Sequence, residues 1–274
     1  MFHGYSYMSV RVGIGSWSDD SYRGVLYPPK LPAKDRLRAY AQIFDHVEVN
    51  STYYGAPKPD TVRKWITETP PGFLFDIKLH RVFSQSPRSA EKSKDKRDLL
   101  GYTLERLAPL IEAKKLGVFL LLLPARFSPV KHSLAELDTL ADRLRPFPLA
   151  VELRDPAWMK GNARPATLTA LRERGIAWVT VDMPKGAEFM PAIDEVTRPG
   201  LAYLRLHGRN RMGYLKGGSA AGQHHYRYRE AELKEIATRI RKLARKANEV
   251  RVVCNNHAED FAPRAALTLQ KLIG

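Results

Sequence analysis

The chain has 274 residues, 44% of them hydrophobic, and a formal net charge of +16. That length and apolar content suffice for one large core, no Ser/Gly-rich linker or internal repeat divides it, and no run approaches the ~18 apolar residues of a membrane span. A single cysteine, Cys254, excludes an intramolecular disulfide and a CxxC zinc module. The opening MFHGYSYMSV lacks the charged-then-apolar pattern of an export signal. A cytoplasmic protein without a membrane partner is expected, with residues 1–9 as a flexible extension of a single domain 1–274. The positive charge has two readings. Either a surface binds polyanions such as nucleic acid by releasing counterions, or arginine is simply abundant, and the location of the charge decides.

Eight short runs rich in β-branched and aromatic residues read as strands: 10–15, 46–50, 73–80, 116–123, 149–154, 177–182, 202–207 and 250–257. Segments with apolar residues at helical spacing lie between them, at 36–44, 61–67, 104–113, 133–144, 166–174, 231–246 and 262–271. Strand alternating with helix predicts an α/β fold, a single (β/α)8 TIM-like barrel, for which ~250 residues is the usual length. An open doubly wound sheet is the alternative.

Strand one ends in Gly13-Ile14-Gly15-Ser16-Trp17. The two glycines lack the third glycine and immediate helix of a dinucleotide loop, so they are read as close packing at the barrel mouth. Strand two alternates His46, Glu48 and Asn50 with Val47 and Val49, and Tyr53 and Tyr54 follow at once. Strand three sets Asp76, Lys78 and His80 opposite Phe75, Ile77 and Leu79. The helix-facing side of a barrel strand must be apolar, so the polar parity points inward. Strand four has no polar face and is expected to be wholly structural.

Strand five places Glu152 and Arg154 on one face of the apolar run LAVELRDPAW, where charges persist only if paired, hydrogen-bonded or used. Strand six groups Trp178, Thr180 and Asp182, strand seven Tyr203, Arg205 and His207, and strand eight Arg251, Val253, Asn255 and His257. Segment 82–101 is charged and polar, and reads as a solvated loop, with a lid or anion contact as the alternative. The glycine-rich segment 208–228 is a candidate phosphate loop through Arg209, Arg211, Lys216, Gly217 and Gly218, or a segment unfixed without a ligand.

Several motifs occur in order over most of the chain: GIGSW with Tyr27-Pro28, VEVNSTYYGAP at 47–57, FxFxxK at 73–78, LPxxF at 123–127, ELRDPAW at 152–158, LRLHGR at 204–209 and CNNH at 254–257. Together they resemble the DUF72 family, also called YecE-like proteins. The resemblance implies a TIM-like barrel and leaves the chemistry open, since the family's name records an unknown function. Glu152, Arg154, His207, Asn255 and Asn256 stand at positions that match the family pattern. Leu122 departs from its usual glutamine, Asp155 and Ala157 from its His and Ser, and Cys254 from its aromatic.

Glu48, Lys78, His80, Glu152, Arg154, Asp182, Arg205, His207 and His257 would bring acids, bases and cations into one pocket. Strands four and seven carry no carboxylate, against a retaining glycosidase. Strand one has no His-x-His, against an amidohydrolase. Acidic neighbours are expected to keep Lys78 charged, against a Schiff-base aldolase. The expectation is an enzyme with an anion-binding mouth acting on a phosphorylated or nucleic-acid substrate.

One version is metal-assisted phosphoester hydrolysis. Glu48, Glu152, Asp182 and His207, with His257, would hold a divalent ion such as Zn or Mn, and Lys78, Arg154 and Arg205 would neutralise phosphate. No HExxH-type spacing identifies the metal, so the cofactor stays open. The metal-free version binds the anion with Arg154, Arg205, Lys78, Asn255 and Asn256, while Glu48 or His207 acts as general base. Asn50, His80 and His257 complete the substrate-binding set, and Trp17, Tyr53, Tyr54, Trp158 and Tyr214 would rim the mouth for stacking. The alternative class is a non-catalytic nucleic-acid-binding protein with a structural polar interior, its basic face formed by Arg239, Lys242, Arg245 and Lys246. The oligomeric state stays open.

Overall fold

The computed structural model describes residues 9–90, 98–216 and 220–274. Eight strands run parallel: β1 (Ser9–Ile14), β2 (His46–Val49), β3 (Leu74–Lys78), β4 (Leu116–Leu123), β5 (Leu149–Leu153), β6 (Ala177–Asp182), β7 (Leu201–Leu206) and β8 (Glu249–Cys254). Their order is β1-β8-β7-β6-β5-β4-β3-β2, so a nearly closed barrel forms with its seam between β1 and β2. Ser9, expected in the flexible extension, pairs with Glu249 instead; residues 1–8 of that extension lie outside the described residues.

Side chains bridge the seam where the backbone ladder does not. At its lower end Arg11 Nη1 donates to Asp45 Oδ2 over 2.8 Å. Midway, the Tyr40 hydroxyl accepts from the Ile14 amide at 3.0 Å and donates to the His46 carbonyl at 2.9 Å. At the top Asn50 Nδ2 donates to the Gly15 carbonyl at 2.9 Å. Buried backbone groups must find partners, and Tyr40 supplies one for each strand.

The helices are α1 (Arg36–Tyr40), α2 (Pro59–Thr67), α3 (Arg81–Gln85), α4 (Leu99–Glu112), α5 (Asp138–Leu144), α6 (Ala163–Glu173), α7 (Arg211–Leu215), α8 (Ala220–His224), α9 (Glu230–Ala244) and α10 (Phe261–Ile273). In α9, Leu233, Ile236, Ala237, Ile240 and Leu243 form the buried stripe, with acids in the first turn and bases in the last to complement the helix dipole. The apolar core lies between such helices and the outer strand faces, where Val47, Val49, Ile77, Leu121, Leu153 and Leu206 are each 0–1% exposed.

Two expectations change here. The strand–helix alternation breaks between β6 and β7, where Met183–Gly200 contains no helix. Pro184, Pro191 and Pro199 remove backbone donors along it, and the segment is held instead by Trp178 Nε1 donating to the Ile193 carbonyl at 3.0 Å. Segment 82–101, expected as one solvated loop, begins with α3 and ends in the first turn of α4, capped by Asp98; its residues 91–97 lie outside the described residues.

Candidate functional site

Strand register decides which polar residues meet. Glu48 on β2 aligns with Asp76 on β3, and Lys78 with Leu120 on β4. Leu122 aligns with Glu152, so these side chains all turn into the barrel. On β7, Arg205 aligns with Val181 of β6 and Val253 of β8. Glycine makes room for the polar interior. A Cβ on Gly13 would stand 2.5 Å from the His46 carbonyl, and one on Gly117 would collide with Asp76 Oδ1. Below the mouth, Arg251 Nη1 donates to Asp76 Oδ1 at 3.0 Å, neutralising both charges.

Above them lies an ionic network, buried except for Arg154, which reaches the cavity. Arg205 Nη2 donates to Glu48 Oε1 at 2.7 Å, and Arg205 Nη1 to Glu152 Oε2 at 2.5 Å. The other Glu48 oxygen accepts from the Tyr203 hydroxyl at 3.0 Å. Arg154 pairs with Glu152 Oε1. His207 Nε2 lies 3.1 Å from that same oxygen, and Asn255 Nδ2 lies 3.1 Å from His207 Nδ1. Arg154 Nη2 also lies 3.3 Å from His207 Nε2, so this ring nitrogen stands between a carboxylate that can only accept and a guanidinium that can only donate.

Burial alone would raise the Glu152 pKa, but Arg154, His207 and Arg205 outweigh it and hold the carboxyl well below its usual range. His207 moves down as well: burial disfavours the imidazolium more than Glu152 favours it. Lys78 is pushed down to about 8 by burial first and the Arg205 charge second, against the opposing pull of Glu48 and Glu152.

The network floors a cavity of about 450 Å³ at the C-terminal end of the barrel. Asn50, Tyr53, Tyr54, Lys78, Arg154, Arg205, Asn255 and His257 line it, all from the inward strand parity or the residues just beyond it. Because the strands stop at Val49, Lys78, Leu153, Leu206 and Cys254, the polar residues that follow them open into the mouth. A larger, more open cleft of about 780 Å³ lies beside Arg11 and Asp45 at the other end, away from these groups. In barrels of this type the chemistry sits at the C-terminal face, which favours the smaller cavity.

The remaining expected residues lie elsewhere. Asp182 does not join the acids of the mouth: it aligns with Leu206, on the outer parity of β7. There it accepts from Arg209, Arg239 and the Tyr228 hydroxyl. Trp178 and Thr180 share that outer face, so β6 reverses the expected polarity and offers Val179 and Val181 inward. Trp158 is stacked on Phe127 and donates to its carbonyl at 2.7 Å, so it is core rather than rim. Trp17 packs edge-on against Trp65 and Phe75. His80 turns back to accept the Val82 amide and cap α3. Asn256 is buried and donates to the Tyr226 carbonyl.

Arg209 and Arg211, expected on a phosphate loop, are taken by Asp182 and Glu188, while Gly217 and Gly218 lie outside the described residues. Arg239, expected on a basic helix face, turns inward onto Asp182 and Asp194.

Two contributions were missed. His224 of α8 lines the cavity, its ring 5.2 Å from His207 and 4.9 Å from His257. Burial first, opposed by its contact with the His207 carbonyl, brings its pKa down to about 4. The adjacent His224-His225 pair was the available signal. Leu122 gives β4 an apolar part in the wall, beyond the structural role expected for that strand.

The donors do not fit a divalent metal. Both oxygens of Glu48 and of Glu152 already accept from side chains of the network, and Asp182 lies behind the sheet. Among the described residues, no three His, Cys, Asp or Glu side chains group as a metal site. No helix among those residues is long and apolar enough to cross a membrane.

A family model described as "Protein of unknown function DUF72" matches residues 11–274. The UPF0759 protein YunF of Bacillus subtilis (strain 168) is 25% identical over 254 residues, covering 91% of this chain and 89% of that one. The UPF0759 protein YecE of Escherichia coli (strain K12) is 34% identical over 148 residues, covering 53% and 52%. A crystal structure of a DUF72 family protein from Enterococcus faecalis V583 matches with a TM-score of 0.85 at 29% identity, covering 96% of this chain and 95% of that one. One from Thermotoga maritima MSB8 matches with a TM-score of 0.81 at 30% identity, covering 97% and 99%. The motifs, the barrel and a family match over nearly the whole chain agree, and the chain belongs to the DUF72 family.

Proposed function

We propose that this protein is an enzyme whose active site is the barrel mouth, acting on a phosphorylated or nucleotide-containing substrate whose anionic group is held by Arg154, with Lys78 beside it. One observation carries the reading. Arg154, Arg205 and Lys78 reach the cavity wall, whereas Glu48 and Glu152, their two counter-charges, lie 0% exposed beneath it. The excess positive charge therefore faces the substrate side, in a space of low dielectric where a bound anion gains most. Asp19, the acid at the rim, is engaged by the Ser21 amide and hydroxyl. The cavity volume falls within the ~300–1,000 Å³ common for small-molecule sites. Tyr53 and the 76% exposed Tyr54 supply aromatic surface for a sugar or base.

Metal-free binding of the anion is the better supported, because the carboxylates serve the arginines; the same engagement argues against Glu48 and His207 as the general base. Calorimetry and thermal shift with inorganic phosphate, nucleoside monophosphates and a short single-stranded oligonucleotide test the reading. Phosphate and monophosphates are expected to bind at one site, with roughly tenfold or greater loss in Arg154→Ala from the missing charged hydrogen bonds. Absence of binding, or equal binding by Arg154→Ala, overturns it. Binding of the oligonucleotide alone, unchanged in that variant, favours a nucleic-acid-binding surface outside the mouth.

A further inference from the structure

Lys78 differs from the arginines beside it. Arg154 and Arg205 each rest on a carboxylate, whereas among the described residues no ion pair or hydrogen bond holds the Lys78 ammonium. Its near neighbour is the Tyr53 ring, 4.6 Å from Nζ to centroid. Glu48 and Glu152 were expected to keep this lysine charged, but their oxygens are saturated by Arg205, Arg154, Tyr203 and His207. The groups facing Lys78 are then Glu48 from β2, Tyr53 beyond it, Glu152 from β5 and Arg154 just past it, and Arg205 from β7, with apolar Leu122 from β4. With its pKa at about 8, roughly a quarter of the amine is neutral at pH 7.5, against about a thousandth for an ordinary lysine. A neutral amine in a substrate-sized cavity, next to cations that hold an anion, is the arrangement a carbonyl-capturing lysine needs.

We propose that Lys78 is a nucleophile that captures the carbonyl carbon of an anionic aldehyde or ketone as a Schiff base, an inference that rests on the anion-binding reading above. The Nζ lone pair forms the N–C bond while the C=O π pair moves to oxygen. One proton passes from nitrogen to that oxygen, giving a carbinolamine. The hydroxyl then leaves as water with one proton taken from solvent, and a protonated imine remains; addition of water reverses the sequence. No oxidant or reductant enters. The cationic imine draws electrons from the adjacent carbon, so the substrate class is one that undergoes proton removal or bond cleavage next to a carbonyl.

Trapping tests this on the full chain. The protein is incubated with glycolaldehyde phosphate and sodium cyanoborohydride, and the reduced adduct is located by peptide mass mapping. Lys78 is expected to be trapped at least tenfold faster than exposed Lys160, with a rate that rises around pH 8 and falls when inorganic phosphate competes. Lys78→Met loses this adduct while keeping its thermal unfolding cooperative. Trapping of Lys78 no faster than Lys160, in a protein that still binds phosphate, overturns the Schiff-base inference and leaves the anion site standing. Selective trapping by plain glycolaldehyde, indifferent to phosphate, overturns the anionic substrate class together with the reading beneath it.

Discussion

Arg154, the first residue past β5, folds back to pair with Glu152, two residues earlier, although Arg205 has come across the barrel interior from β7 to the other oxygen of the same carboxylate. β6 stands between β5 and β7, and its inward Val179 and Val181 leave the path clear. One buried carboxylate thus anchors two guanidinium groups, only one of which is also anchored by Glu48. Arg205 is the structural centre, and Arg154 presents the charge to the cavity.

Removing the centre strands its partners. Arg205→Met is expected to cost about 3–5 kcal/mol, because it leaves Glu48 and Glu152 short of a buried counter-charge. Adding Glu48→Gln and Glu152→Gln in the same chain should recover more than half of that loss. Urea denaturation at pH 7.5 measures both, and a loss under 1 kcal/mol in the single variant would show the network to be dispensable.

Acid should destabilise the protein in two stages. His207 and His224 have folded pKa values below the ordinary histidine value, so the unfolded chain takes up protons first as pH falls. Stability is full above about pH 6.5 and declines below it, by up to about 1.4 kcal/mol per pH unit for each histidine. Glu152, with its folded value depressed, contributes above the ordinary carboxylate range and loses that contribution as pH falls further. Denaturation midpoints from pH 8 to 4 should show a first decline that is flattened in a His207→Gln/His224→Gln variant; an unchanged curve would argue against neutral, buried histidines.

Asp182 separates stability from binding. It is 2% exposed and holds Arg209 and Arg239 behind the sheet, so Asp182→Ala should cost about 3–5 kcal/mol. Phosphate affinity should stay within about twofold, in contrast to Arg154→Ala. A tenfold loss of affinity in a folded Asp182→Ala protein would return this residue to the site.

The seam makes the fourth case. Tyr40→Phe removes the hydroxyl shared by the Ile14 amide and the His46 carbonyl, leaving two buried backbone groups unpaired. A loss of about 2–4 kcal/mol follows from the usual cost of such groups. Amide exchange should quicken at Ile14 while the β7–β8 ladder keeps its protection. Equal protection at Ile14 in both proteins would mean that β1 and β2 find another way to close.

Much of the site follows from alternation alone. Glu48, Lys78, Glu152, Arg154, Arg205 and Asn255 were assigned inward because the other parity of each strand is apolar, and the side-chain period in a strand is two. The same argument failed on β6, where Trp178, Thr180 and Asp182 looked like one more polar face. An outward polar face is allowed wherever a helix and loop supply partners, and Arg239 of α9 and Ile193 do so here. Aromatics beside the mouth were equally unreadable: Trp158 and Tyr53 both follow a strand end, yet one stacks on Phe127 and the other lies under Lys78.

The sequence by itself determined the barrel, the inward parity of the polar strands other than β6, and the family, because local periodicity and contiguous motifs need no knowledge of distant partners. Tertiary structure alone decided which carboxylate meets which cation. Those pairings join residues as distant in sequence as Asp76 and Arg251, 175 positions apart, and a charge's chemistry depends on its partner as much as on its identity. That is why Lys78, seemingly guarded by acids along the chain, stands in the folded protein as the amine no acid holds.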